Sequence, residues 1–305
     1  KPPSAGTGVF AMDTGNGSST IPNFDSGFPV DFALVKKPAV NVDWYTGSRL
    51  TSGSFMYTNA NSAEGTSSEF VFDSNLGWMK GTGNDSSYQS WMWKRGQGFD
   101  AVAYTGNGTA GHQISHSLNQ IPEMIWVKNR DQTQGWRVYH KGLNGGTNPE
   151  QYRLILNLDG TESSSSTAWN NTSPTSSTFT LGTDNAVNQD DQEHIALLFA
   201  SANDAEGNPI SKVGYYDGSG AARTITTGFQ PRFIIFKCTT NGESWFTFDT
   251  TRGWASGNDQ FLQLNSNAAQ SGHDVGAPTS TGFTLVDGHG AFNQSGRKYI
   301  YYAHA

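Results

Sequence analysis

Short apolar runs, punctuated by glycine, asparagine and serine, set the rhythm of this chain. Three are alike: FALVK (Phe32–Lys36), MIWVK (Met124–Lys128) and FIIFK (Phe233–Lys237), each ending in lysine. Runs this short, rich in aliphatic and aromatic residues, predict strands buried on both sides or placed centrally in a sheet. Each follows a proline by a few residues (Pro29, Pro122 or Pro231), where proline can open a strand without removing a ladder hydrogen bond. A polar turn comes next, then a tryptophan, Trp44, Trp136 or Trp245, that opens a second strand. Lysine and tryptophan recur at the same two offsets, 92 and 109 residues (36 to 128 to 237, and 44 to 136 to 245). Two markers moving together predict a threefold internal repeat.

The rest of each copy follows the same plan. A lead-in strand runs into a glycine turn at Val9–Gly17, Phe99–Gly108 and Val213–Gly220. A fourth segment covers Ser54–Glu64, Tyr152–Glu162 and Phe261–Ser271; in the second copy Leu154, Leu156 and Leu158 alternate with other residues, the period of a strand with one apolar face. A hairpin-like pair ends the copy. Its first arm is Phe70–Asn75, Phe179–Asn185 or Phe283–Gly290, and its second is Ser87–Gly96, Glu193–Ser201 or Arg297–Ala305. Six or seven short strands per copy, with no sustained helical period, predict an all-β chain of three tandem, internally homologous β-sandwich repeats of jelly-roll or concanavalin-like type. The boundaries fall at 1–97 for a divergent first repeat, 98–203 for the second and 204–305 for the third, with Ser201–Ser211 read as a polar linker. Each copy looks long enough to close its own core.

Composition narrows the function. Of 305 residues 36 are glycine and only 15% are charged, yet 12% are aromatic and the net charge is only −7, which separates the chain from disordered segments. The acidic balance, with pI near 5.4, argues against nucleic acid as a partner. No apolar stretch approaches the roughly 18 residues of a membrane span, so membrane insertion is not expected. The single cysteine, Cys238, sits among apolar residues in FIIFKC and is expected to be a buried thiol. The opening Lys1-Pro2-Pro3 suggests a piece of something longer.

Catalytic patterns are weak. Glu69 and Asp73 are spaced to share one face of a strand, as paired glycosidase carboxylates would, but the corresponding places in the other copies hold Thr178 and Gly282 in the stead of Glu69. His112 and His116 could join a third ligand on a metal, although scattered surface positions explain them as well. Asp184, Asp190 and Asp191, within Thr183–Glu193, offer oxygens to calcium without the register of a calcium loop. No cofactor is expected.

Recognition is better represented. Trp44 with Tyr45, Trp136 with Tyr139, and Trp245 with Trp254 follow the repeated turn, and flat rings beside polar residues suit sugars. A tryptophan at one place in every copy is, however, more often a core marker, and for Trp44, Trp136 and Trp245 that is the stronger reading. Arg49, Lys141, Trp169 and Arg252, with Tyr45 and Trp254, lie in the more variable stretch after the tryptophan strand, where function varies on a fixed sandwich.

These parts together resemble a tandem repeat domain of marine bacteriophage virion and tail-fibre-like proteins, often found downstream of SPRY- or concanavalin-like modules. The stretches that carry the resemblance are GFDAVAYTGNGTAGHQISHSLNQIPEMIWVKNR, WRVYHKGL, AWNNTSPTSSTFTLG and NQDDQEHIALLFA in the second copy, and TGFQPRFIIFK, FTFDTTRGW and STGFTLVDGHGAFNQSGRKYIYYAHA in the third. The likeness is strong over 98–305 and weaker over 1–97; Lys1-Pro2-Pro3-Ser4 resembles the tail end of a preceding module. The resemblance implies a virion appendage, tail-fibre- or adhesin-like, extracellular and oligomeric (a trimer is one candidate), in contact with other virion proteins. Tandem copies, low charge, abundant turns and the weak acid/base pattern favour a non-catalytic module whose loops bind host-surface polysaccharide. A spacer or capsid decoration without ligand is the alternative reading. A polysaccharide-degrading lyase or hydrolase is the second, and it would need a cleft with paired acids.

Overall fold

Turn-forming residues reverse the chain at each strand end, and every strand pairing among the described residues is antiparallel. The computed structural model describes residues 5–305. The likeness of residues 1–4 to the end of a preceding module therefore lies outside the described residues.

Three large sheets carry the fold, with one strand order. In the first sheet the order across is Phe10–Thr14, Gln89–Trp93, Phe32–Lys36, Tyr45–Ser48, Ser54–Tyr57 and Gly65–Thr66. The second runs Phe99–Thr105, Glu193–Phe199, Met124–Asn129, Arg137–His140, Tyr152–Ile155 and Ser163–Ser164. The third runs Pro209–Asp217, Lys298–His304, Phe233–Cys238, Phe246–Asp249, Asp259–Gln263 and Ser271–His273, with Ala202–Asn203 added at its edge. Helices are limited to single turns such as Asn185–Asn188. The chain is all-β.

The central strands obey period 2 with both faces apolar. Phe32 and Leu34, Met124 and Trp126, and Phe233 and Ile235 point into one cluster that draws on all three sheets. Their alternates, Ala33 and Val35, Ile125 and Val127, and Ile234 and Phe236, point the other way into three separate clusters. Each outer cluster is closed by a smaller sheet: Phe24–Asp25 with Gly77–Trp78 on the first, His112–Ser115 with Thr178–Leu181 on the second, and Ala221–Thr226 with Gly282–Asp287 and Pro278–Thr279 on the third. The expectation that each copy closes its own core therefore holds only for the outer faces; the inner faces of all three central strands pack together in one shared cluster, because each is apolar on both sides.

Some segments depart from expectation. Phe70–Asn75 forms no strand; the hairpin arm there is Gly77–Trp78. The strand containing Leu154 ends at Ile155, and Leu158 is exposed rather than on the apolar face. Ser201–Ser211 is no free linker. Ala202–Asn203 folds back on Pro209–Asp217, and Asp204 Oδ1 accepts from the amides of Glu206 and Asn208 to shape the turn between.

Candidate functional site

The three recurrent tryptophans sit at the centre. Trp44, Trp136 and Trp245 are at most 1% exposed. Each backbone N–H donates to an asparagine side chain, Asn59, Asn157 or Asn265, in the turn after the fifth strand of its own sheet, at 2.8–3.0 Å. Each indole N–H reaches a neighbouring sheet instead. Trp44 Nε1 donates to the Gln263 carbonyl (2.9 Å), Trp136 Nε1 to Tyr57 (2.8 Å) and Trp245 Nε1 to Ile155 (3.2 Å). First sheet to third, second to first, third to second: the donations close a ring. A second ring runs in the opposite sense through backbone bonds, from Glu64 N–H to Arg130 C=O, Glu162 to Thr239 and Gln270 to Pro38, at 2.7–2.8 Å. The Arg130–Glu64 ion pair (2.8 Å) braces the first of these contacts.

The lysines that end the central strands are buried too. Lys36 Nζ donates to Val42 C=O and, across the sheet boundary, to Asn267 C=O (3.1 Å); Lys237 Nζ donates to Cys238 C=O and, across the next boundary, to Asp159 C=O (3.1 Å). Lys128 donates to carbonyls of its own turn, Asn129 and Gln132. Loss of hydration pushes all three ammonium groups down to about 8. They act as caps on loop carbonyls.

This geometry corrects the expectation that the tryptophans meet a ligand. All nine tryptophans of the chain are buried, so Trp44, Trp136, Trp169, Trp245 and Trp254 offer no face to solvent. Trp254 donates to Gly276 C=O inside the third outer core, and Trp169 packs edge-on against Tyr139, itself buried. Arg252 is engaged as well: its Nε donates to Asp249 (2.7 Å), a carboxylate with no exposure that also accepts from Trp91 Nε1 (3.0 Å) and Gln89 Nε2 (3.3 Å) of the first sheet. Arg49 pairs with Asp31 and donates to Val30 C=O. Lys141 pairs with Glu123, though it also lines a shallow hollow of about 380 Å³ with the exposed Tyr215 and with Arg223.

The acidic and histidine candidates are likewise taken up locally. Asp184 caps the turn at Ala186 and pairs with Arg137 (2.7 Å), which removes it from any calcium site with Asp190 and Asp191. Among the described residues no three His, Cys, Asp or Glu side chains are grouped to hold a metal. His112 Nδ1 bonds Asn188 Oδ1 (2.8 Å), and His116 Nε2 bonds Thr175 C=O (3.2 Å).

Tyr45 is different. It is half-buried on the outer face of the first sheet, beside Phe55 (ring centroids 5.3 Å apart), Tyr57 (5.1 Å) and Phe70 (6.0 Å). With Tyr88, Glu69 and Asn84 it lines a cleft of about 260 Å³. Burial and the neighbouring Tyr57 hold the Tyr45 hydroxyl protonated above its usual range. Glu69 Oε2 accepts from Asn84 Nδ2 (3.1 Å), and Glu69 is the one carboxylate among the residues lining the cleft.

The domain family described as "Domain of unknown function (DUF7483)" matches residues 92–305, more than half of the chain. The chain belongs to the DUF7483 family. The match takes in the whole of the second and third sheets and the end of the Gln89–Trp93 strand of the first. The aromatic cleft therefore lies before the matched family region. No curated protein matches the chain.

Of the cleft residues, only Tyr45 carries a sequence signal for recognition, through its place after Trp44. Phe55, Phe70 and Tyr88 come from segments spread over more than thirty residues, and no local spacing links them. A signal exists in the residue before each of Asn84, Asn188 and Asn293, whose carbonyls all accept from the lead-in glycine turn: it is Gly83 in the first unit but Val187 and Phe292 in the others.

Proposed function

We propose that this DUF7483 chain is a non-catalytic structural module of a bacteriophage virion appendage, built from three tandem copies of one β-sandwich repeat. The observation that carries the structural part is the cross-bracing: the marker tryptophans of all three sheets bond to the neighbouring sheet in one cyclic sense. A body tied at every internal boundary resists shear between its units, which suits a part that transmits force or holds spacing. Trp44, Trp136 and Trp245, expected to greet a host polysaccharide, instead join the sheets, so the spacer or decoration reading gains over adhesion at those three positions. Paired-acid hydrolysis has little support, since Glu69 has no second carboxylate across its cleft. The virion setting rests on the resemblance of residues 98–305 to phage tail-fibre-like repeats.

An antibody raised against the recombinant chain tests that setting by immunogold electron microscopy of intact particles from the phage that carries the gene. Labelling at a regular place on the particle is expected. Particles without label, with the antigen found only in the lysate, would overturn the proposal.

A further inference from the structure

The three outer faces are closed differently, and the difference leaves one of them open. The carbonyls of Asn84, Asn188 and Asn293 accept from the amides of Gly17, Gly108 and Gly220 at 3.0, 2.8 and 2.8 Å, so these three asparagines occupy matching places. The residue before each should therefore reach toward the outer core of its unit. In the second unit this residue is Val187 and in the third Phe292, both buried in their outer clusters. In the first it is Gly83, and a Cβ built there would meet nothing within 4 Å.

The strand beneath shows the same contrast. Tyr45, Arg137 and Phe246 share one register, opposite Val35, Val127 and Phe236 of the central strands. Arg137 is closed over by Asp184 at 2.7 Å, and Phe246 by Phe292 with ring centroids 4.9 Å apart. Tyr45 has no such lid and opens into the cleft.

The cleft has the chemistry of a sugar site. Tyr45, Phe55 and Tyr88 are half-buried rings that can cover the C–H face of a pyranose. Glu69, Asn84 and Ser67 bring a carboxylate, an amide and a hydroxyl to the same hollow, and hydroxyl-rich ligands need such convergent polar groups. A volume of about 260 Å³ is below the range of about 300–1,000 Å³ typical of drug-sized ligands, which limits the occupant to about one ring. The single carboxylate, with no cation among the lining residues, selects a neutral sugar over a uronate or sulfated one.

We infer that this cleft binds one neutral pyranose ring, either free or at the end of a glycan chain. The site is separate from the tryptophan-braced centre, so the inference does not depend on where the chain sits in a particle.

Saturation-transfer NMR on the full chain tests it, with a panel of glucose, galactose, mannose, fucose and N-acetylglucosamine together with their methyl glycosides. Transfer to at least one sugar is expected. Tyr45→Ala and Glu69→Gln should each weaken that sugar's affinity at least tenfold. Gly83→Phe, which supplies the ring that Phe292 provides in the third unit, should abolish transfer while leaving the thermal unfolding midpoint within a few degrees. A methyl glycoside bound more tightly than its free sugar would mark the ring as a chain end, and equal binding would mark it as free; both support the site. Absence of transfer from every sugar, or transfer that persists undiminished in Tyr45→Ala or in a folded Gly83→Phe, would overturn the inference.

Discussion

Replacing Asp249 with alanine tests whether the loop after Trp245 is a ligand surface or a brace. The carboxylate has no solvent exposure and serves five donors: Arg252 Nε and backbone N–H, the Thr251 hydroxyl, Trp91 Nε1 and Gln89 Nε2. Burial alone would raise its pKa, but Arg252 and the hydroxyl and amide donors outweigh this and hold the group below the usual range, so it is ionised at neutral pH. Alanine would strand a nearly buried guanidinium and leave the Trp91 indole unsatisfied. Removing one partner of a buried ion pair costs about 3–5 kcal/mol. With an unfolding entropy near 2.1 cal/mol/K per residue, a chain of 305 residues unfolding as one unit should lose about 5–8 °C in midpoint. Calorimetry and urea unfolding read this directly. Arg252→Ala should also destabilise, by somewhat less, because the aspartate keeps its other donors. The coupling between Asp249→Ala and Trp91→Phe, taken from a double-mutant cycle, isolates the link between the third and first sheets and should be about 1–2 kcal/mol. A loss below about 1 kcal/mol for Asp249→Ala would refute the bracing role and return Arg252 to the pool of free binding groups.

Three further outcomes are expected. Trp136→Phe removes the bond to Tyr57 C=O and leaves that acceptor dry, so it should cost about 1–3 kcal/mol while keeping a single unfolding transition; separate transitions for the three sheets would contradict the shared core. His140 accepts from Gly142 N–H at Nδ1 and donates to Tyr301 C=O from Nε2, and burial pushes it down to about 3, as it does His304; the unfolded chain takes up these protons first, so stability should fall as pH drops from about 6.5 toward 3, and His140→Leu should make that limb shallower in pH-dependent unfolding, with His304 carrying the remainder. Lys36, Lys128 and Lys237, held near 8, bind fewer protons folded than unfolded between pH 8 and about 10, so stability should rise with pH across that window, before buried tyrosines such as Tyr301, raised to about 12, reverse the trend; a flat profile in urea titrations from pH 8 to 10 would show the lysines to be hydrated.

The strands were legible because their signals are local. FALVK, MIWVK and FIIFK announce doubly buried strands by composition alone, and the structure buries both faces of each. Cys238 reads as a buried thiol for the same reason. What Trp44 does with its indole was not legible, because its acceptor, Gln263, lies more than two hundred residues away on another sheet. No periodicity encodes a contact made only when three sheets face one centre. The recurrence of Trp44, Trp136 and Trp245 favours a core marker over a ligand platform, and their burial decides for the core. Arg252 misled similarly: a cation in a variable loop suggests binding until Asp249, three residues back, is found buried beneath it.

The division between a shared centre and private outer cores also explains where change can collect. Substituting Trp245 or Ile235 disturbs packing that all three sheets contribute to, so its cost falls on the whole body. Substituting Tyr45, Phe55 or Gly83 affects one outer face, whose layer is already anchored by Trp78 and Phe72 stacked at 5.1 Å. An opening there removes little from the cross-braced centre. The second and third units fill the matching space with Val187 and Arg137, or with Phe292 and Phe246, and the first leaves Tyr45 facing a hollow, with glycine, Gly83, at the place matching Val187 and Phe292. Substitutions at Tyr45 or Gly83 should therefore leave the bonds of Trp44, Trp136 and Trp245 to their neighbouring sheets intact.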